Sequence, residues 1–154
     1  MIYNNKVRKA ALLAYKVHAS ELDKGGYPYI MHPIHLAEQM DTEEEVIVAL
    51  LHDVLESDRS QITAECIELL GVSKEVVEAI HIITRNPEDS YFDYIEKIKN
   101  NRLARKVKLA DIRHNLQVER LRSKEFSQGL VERYQKAIEI LSYTIRKIGD
   151  EQWQ

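Results

Sequence analysis

The sequence predicts an all-α bundle of seven or eight helices. Three observations predict it: apolar residues recur at helical spacing, only five Gly and three Pro interrupt 154 residues, and capping residues stand just ahead of the apolar runs. No segment alternates with a strand period, and no internal repeat or low-complexity tract appears. A length of 154 residues corresponds to one domain, 1–154, whose single core buries roughly 70% of the surface of the unfolded chain.

The elements follow in order. Asn5 to Ala19 carries Val7, Ala10, Ala11, Ala14, Val17 and His18 on one face, an amphipathic helix. Asp23 to Pro28 contains Gly25-Gly26 and reads as a loop, after which Pro33 opens a short helix to about Met40, with His32 at its N-cap. Thr42 and Glu45 have the capping-box spacing, and the helix they open, running on to Glu56, is apolar on every side around Val46 to Leu51. Thr63 to Leu70 stops at Gly71, and Ser73 caps a helix to about Ile83. Ser90 to Asp93 is a second capping box opening a helix to Lys99, and Arg102 to about Leu121 is strongly helical. The last helix, about Phe126 to Ile148, aligns Leu130, Tyr134, Ala137, Ile138, Leu141, Ile145 and Ile148; this stripe reads as core packing, with a dimer seam as the alternative.

Hydrophobic residues at 44% and charged residues at 31% exclude disorder. The longest apolar run, Val46 to Leu51, is far shorter than the ~20 residues needed to cross a bilayer, so a cytoplasmic protein with no membrane partner is expected. A single cysteine, Cys66, forms no internal disulfide and reads as a core residue in a reducing compartment. A net charge of -3 argues against nucleic-acid binding. The charge is unevenly spread, however. Asp41 to Asp58 holds seven acids and no Lys or Arg, while Asn101 to Glu125 holds eight Lys or Arg against three acids. An acidic stretch can hold a metal and a basic one can receive phosphate; two solvated faces of opposite sign are the plainer alternative.

His52-Asp53 lies in the most apolar helix, where a carboxylate without a partner costs several kcal/mol. Asp111 repeats the situation between Val107-Lys108-Leu109-Ala110 and Ile112. Two buried acids and an imidazole imply either a divalent cation or a salt-bridged core with Lys108 or Arg113 as counter-ion. His32, kept neutral by the helix N-terminus, favours the cation. His32, His52, Asp53 and Asp111 form a set of two nitrogens and two carboxylates suited to Mn²⁺, Fe²⁺ or Zn²⁺. Glu56 stands one helical turn after His52 and Asn115 one turn after Asp111, where they can orient water and a substrate phosphate. Of the other histidines, His18 reads as capping or packing, His35 as facing solvent, and His114 as packing against the first helix or adjoining the site. Glu78-Ala79-Ile80-His81 has the spacing of half a di-iron motif, with no second copy.

Tyr29-Ile30-Met31-His32-Pro33, Ala49 to Glu56 with its His52-Asp53, and Val107 to Asn115 together resemble the HD-superfamily hydrolase domain of the RelA/SpoT family, over about Ala11 to Leu121. The resemblance implies a Mn²⁺-dependent hydrolase that removes pyrophosphate from the 3′ position of guanosine tetra- or pentaphosphate. It implies metal ligation by His32, His52, Asp53 and Asp111, catalysis by Glu56, and nucleotide contact by Asn115. The family usually places an aspartate directly after the glutamate. Ser57 stands there in this chain, so Asp58 is the next candidate acid. Where the family offers an arginine to the nucleotide this chain has Asp23, with Lys24 alongside to receive phosphate as a point charge. The expected partner is a small nucleotide phosphate, and an oligomer is compatible with the last helix. The alternatives are a catalytically faded nucleotide-sensing or scaffold domain and a di-iron bundle.

Overall fold

The computed structural model describes residues 2–23, 25–56, 62–117 and 128–151, with side chains up to 143 in the last segment. Eight helices are present among them: α1 (Asn5–His18), α2 (Met31–Glu38), α3 (Glu43–Leu51), α4 (Ala64–Glu68), α5 (Lys74–Ile83), α6 (Tyr91–Lys99), α7 (Arg102–Asn115) and α8 (Gln128–Glu151). The described residues contain no strand, only an isolated bridge between Leu22 and Pro28, so the all-α expectation holds. None of the helices is long and apolar enough to cross a membrane.

α3 is the hub. It packs against α1, α2, α5 and α7, and every residue from Glu45 to Leu51 is buried. Each of its larger apolar side chains removed from water contributes about 1.5–3 kcal/mol. The hub starts where the capping box places it: the Thr42 hydroxyl accepts from the Glu45 amide, and the Glu45 carboxylate reaches back to the Thr42 amide. Glu45 is itself buried, and its charge is met by Lys106 at 2.6 Å and Arg102 at 3.1 Å, which ties the start of α3 to α7. Ser73 and Ser90 cap α5 and α6 through the amides of Val76 and Asp93. Gly71, at φ +75°, turns the chain out of α4 in a conformation that L side chains rarely adopt.

Three boundaries differ from the sequence expectation. α2 begins at Met31 after an Ile30 N-cap, so His32 lies within the first turn and not at the cap. Pro33 is tolerated there because the first-turn amides have no acceptor inside a helix. α3 stops at Leu51 instead of running to Glu56. His52 is its C-cap, and tightened turns follow, with Val54 N–H on Leu51 O and Glu56 N–H on Asp53 O. α7 ends at Asn115 with Leu116 as C-cap, and 118–127 lie outside the described residues.

The α8 stripe is core, as expected: Ala137 and Leu141 are buried, and Tyr134 and Ile138 pack against the same cluster. Ile145 and Ile148 lie outside the described side chains. Cys66 is a correction, because it is only half-buried and the buried position of α4 belongs to Ile67. A five-residue helix has room to bury one side chain, and the more apolar isoleucine takes it.

Candidate active site

The functional side chains stand where three elements meet: the first turn of α2, the end of α3 and the last two turns of α7. One ligand atom from each of His32, His52 and Asp53 can be chosen so that all lie within 4.8 Å of one another. Local bonding fixes the His52 ring. Its Nδ1 donates to the carbonyl oxygen of Ala49 at 2.8 Å, which turns Nε2 toward Asp53. Nε2 is fully buried, makes no hydrogen bond, and lies 2.9 Å from Asp53 Oδ2. The Tyr29 hydroxyl donates to the same Asp53 oxygen.

His32 faces His52 edge-on, with ring centroids 5.1 Å apart. Its Nδ1 is 2.7 Å from His114 Nδ1, and its Nε2 is 3.2 Å from Asp111 Oδ1. Asp111 therefore borders the group through His32. Lys108 at 2.8 Å and the Asn115 amide at 2.7 Å hold its two oxygens. The sequence left open a cation or a salt-bridged core at Asp111, and Lys108 supplies the ion pair.

The electrostatics follow from this crowding. Burial lowers the His52 imidazolium, but the Asp53 carboxylate more than offsets it and raises the pKa to about 9. Burial pushes Asp53 up, and the facing His52 brings it down below the usual carboxylate range. His32 is lowered by burial, which keeps a lone pair available. The Asp111 carboxyl lies well below its ordinary value and the Lys108 ammonium well above, because their mutual attraction outweighs the burial of both. Glu56 is raised by burial of its carboxyl, although the amide of Arg85 donates to it at 2.7 Å.

A cleft of about 390 Å³ opens over this group. His32, Asp53, Glu56, Asp111 and Asn115 line it, together with residues that sequence reasoning did not assign to a site: His18, Glu21, Tyr29, Arg85, Tyr91, Tyr94, Arg133 and Tyr134. The Arg133 guanidinium sits 4.8 Å over the Tyr91 ring, and the Tyr91 hydroxyl is buried without a hydrogen bond. The signal for Tyr91 and Tyr134 was absorbed by their local roles, one inside a capping box and the other on the α8 stripe. Tyr29 stood beside His32 without a spacing that marked it.

The remaining sequence candidates fall as follows. Lys24, Ser57 and Asp58 lie outside the described residues. Asp23 is not in the cleft lining; its Oδ1 accepts from the amides of Gly25 and Tyr27 and closes the turn there. His35 does not face solvent as expected. It is half-buried, and its ring lies 4.2 Å from that of His114, because α2 packs on α7 at that level. His114 packs on the rings of His32 and His35 in this second helix. His18 is buried, with Nδ1 2.7 Å from Glu21, and lines the cleft. Glu78 and His81 are both exposed, so the half-motif for di-iron is a surface pair. Of the basic excess after Asn101, Lys108 lines the cleft, whereas Arg102, Arg105, Lys106 and Arg113 do not.

The donor set suits a divalent cation. An imidazole held by its backbone bond with Nε2 pointing at a carboxylate 2.9 Å away, yet out of hydrogen-bond geometry with it, puts two ligand atoms side by side that a cation would take in place of the ring proton Asp53 stabilises. The Ala49 carbonyl and the Tyr29 hydroxyl supply the outer hydrogen bonds that orient such ligands. A cleft with cations on its wall and a solvent-accessible glutamate over this group is equipped to receive phosphate and to move a proton.

No family model matches the chain. A stretch of 83 residues, 51% of the chain, is 34% identical to a GTP pyrophosphokinase of Myxococcus xanthus and covers 11% of it, so the chain spans about a tenth of that relative's length. The fold matches a solved structure of a metazoan ortholog of SpoT, described as hydrolysing ppGpp and acting in starvation responses. The TM-score is 0.73 at 20% identity, over 95% of this chain and 88% of that one. The chain thus has the helical HD-domain fold of that hydrolase, and the bundle expected from the sequence is this fold.

Proposed function

We propose that the protein is a metal-dependent phosphohydrolase that removes pyrophosphate from the 3′ position of guanosine tetraphosphate. The observation that carries the reading is the buried His52 Nε2, held without a hydrogen bond behind Asp53, which lines a cleft with arginines on its wall. The likeness to the ppGpp-hydrolysing SpoT ortholog supports the substrate class. In this reading His32, His52, Asp53 and Asp111 hold the cation, with Mn²⁺ the metal that the RelA/SpoT resemblance favours. Bound there, the cation supplies Lewis-acid polarisation of the phosphoryl group and a lowered pKa for water.

The protein's own residues do the rest. Glu56, raised by burial, takes the proton of the attacking water. The water oxygen bonds to the phosphorus, the bond from phosphorus to the 3′ oxygen breaks, and the proton that Glu56 took passes to the departing oxygen, so that pyrophosphate and a free 3′ hydroxyl result. Arg85 and Arg133 meet the phosphate charge from the cleft wall, and Asn115 keeps Asp111 in place through its amide.

The test is a screen of nucleotide phosphates with Mn²⁺, reading pyrophosphate and orthophosphate separately. Release of pyrophosphate from guanosine tetraphosphate is the expected result. Orthophosphate from other esters corrects the substrate, and no turnover with any metal supports the faded sensor instead.

A further inference from the structure

A second pocket, of about 310 Å³, lies on the other face of α7. Helical steps of about 100° place Lys108, Asp111 and Asn115 on one side of α7 and Arg102, Arg105, Lys106, Leu109 and Arg113 on the opposite side. The first set lines the cleft of the candidate active site, the second this pocket. Four cations line it and no acid does. Two of the four are committed elsewhere, Arg102 to Glu45, and Lys106 to Glu45 and Asp41.

The other two are not. Arg105 is only 8% exposed, and its guanidinium donates to the carbonyl of Lys99 at 2.9 Å, with no carboxylate partner among the described residues. Its pKa is lowered, first by burial and then by the like charge of Arg102. Arg113 is exposed and has no ion pair among the described residues. Buried charges are ordinarily paired. A guanidinium enclosed with other cations and lacking a carboxylate is balanced when an anion joins it. Met40, Leu109 and Ala110 give the pocket an apolar floor, and its volume lies at the small end of ligand sites.

We propose that this pocket binds a small phosphate-bearing molecule with a compact apolar body, of nucleoside monophosphate size, held by Arg105 and Arg113 against Leu109 and Met40. Paired guanidinium forks suit phosphate oxygens, and a concavity of this size with a short apolar floor matches one small molecule better than the extended backbone of a polymer. The site is independent of what the cleft hydrolyses.

The test is a backbone amide NMR titration of the full chain in EDTA with guanosine monophosphate and, separately, with inorganic phosphate and a short RNA duplex. The monophosphate is expected to give saturable shifts at Gln39, Met40 and Arg102, at lower concentration than phosphate. Arg113→Ala, an exposed change, should weaken this about tenfold or more. Arg105→Met should do the same, and if it fails to fold, Arg113→Ala alone decides. Saturable shifts confined to Tyr29, Arg85 and Tyr91 would place binding in the cleft and overturn the proposal. So would a drift that never saturates, equal affinity for phosphate alone, or tighter binding of the duplex.

Discussion

His52 donates its Nδ1 proton to the carbonyl oxygen of Ala49, three residues back in α3, at 2.8 Å. One bond thereby satisfies a last-turn carbonyl, selects the tautomer and aims Nε2 at Asp53. Asp53→Ala, which removes the anionic half of the arrangement, should abolish metal binding and turnover together. Metal content by mass spectrometry checks it, and an unchanged content would remove Asp53 from the site.

Glu56→Gln should keep the metal and lose turnover by ~10²-fold or more if Glu56 accepts the water's proton. The charged form is the active one, and burial raises its pKa above the ordinary 4.5. Activity of the native protein should therefore climb with pH along an acid limb lying above the usual glutamate range. A pH profile in which Glu56→Gln keeps that limb would assign it to another group.

Lys108→Met strands Asp111, whose other contacts are the His32 ring and the Asn115 amide. Removing one partner of a buried pair costs about 3–5 kcal/mol, read as a lower urea midpoint. Mn²⁺ should restore part of this loss if Asp111 ligates the ion, since binding only the folded state adds stability by mass action. No restoration would take Asp111 out of the ligand set.

Glu45 joins the start of α3 to α7 while being buried. Burial pushes its carboxyl up, but Lys106 and the amides of Asp41 and Thr42 together bring it below 4.5. A depressed folded value means that its contribution is present above the unfolded pKa and is lost as pH falls through the folded one. Acid titration of stability should show that loss in the native protein and a flatter curve in Glu45→Gln. Glu45→Ala, which also removes the capping box, should cost about 2–3 kcal/mol at neutral pH by thermal or urea unfolding.

Most of the fold was legible because its signals are local. Thr42, Ser73 and Ser90 cap the helices they announce, and the continuous apolar run of α3 marks the centre of the bundle. The end of α3 was not legible. Leu51 to Glu56 contains no Gly or Pro, and the helix stops where the His52 and Asp53 side chains take up partners of their own. The basic segment after Asn101 was legible as charge but not as direction. Only the phase of α7 against its neighbours turns Lys108 into the cleft and Arg105 away from it. The pairing of His35 with His114 has the same origin, because it depends on how two helices far apart in sequence cross.

His52 and Asp53 follow directly on α3, the helix enclosed on every side by α1, α2, α5 and α7. Amide protons in Val46 to Leu51 will exchange with deuterium only when the whole bundle unfolds, so that end of the site moves no more than the core does. The opposite wall, where exposed Arg133 lies over Tyr91, has no such enclosure. Admission and release of a ligand will therefore register as faster exchange in α6 and the first turns of α8, against a floor whose protection matches the global stability of the chain.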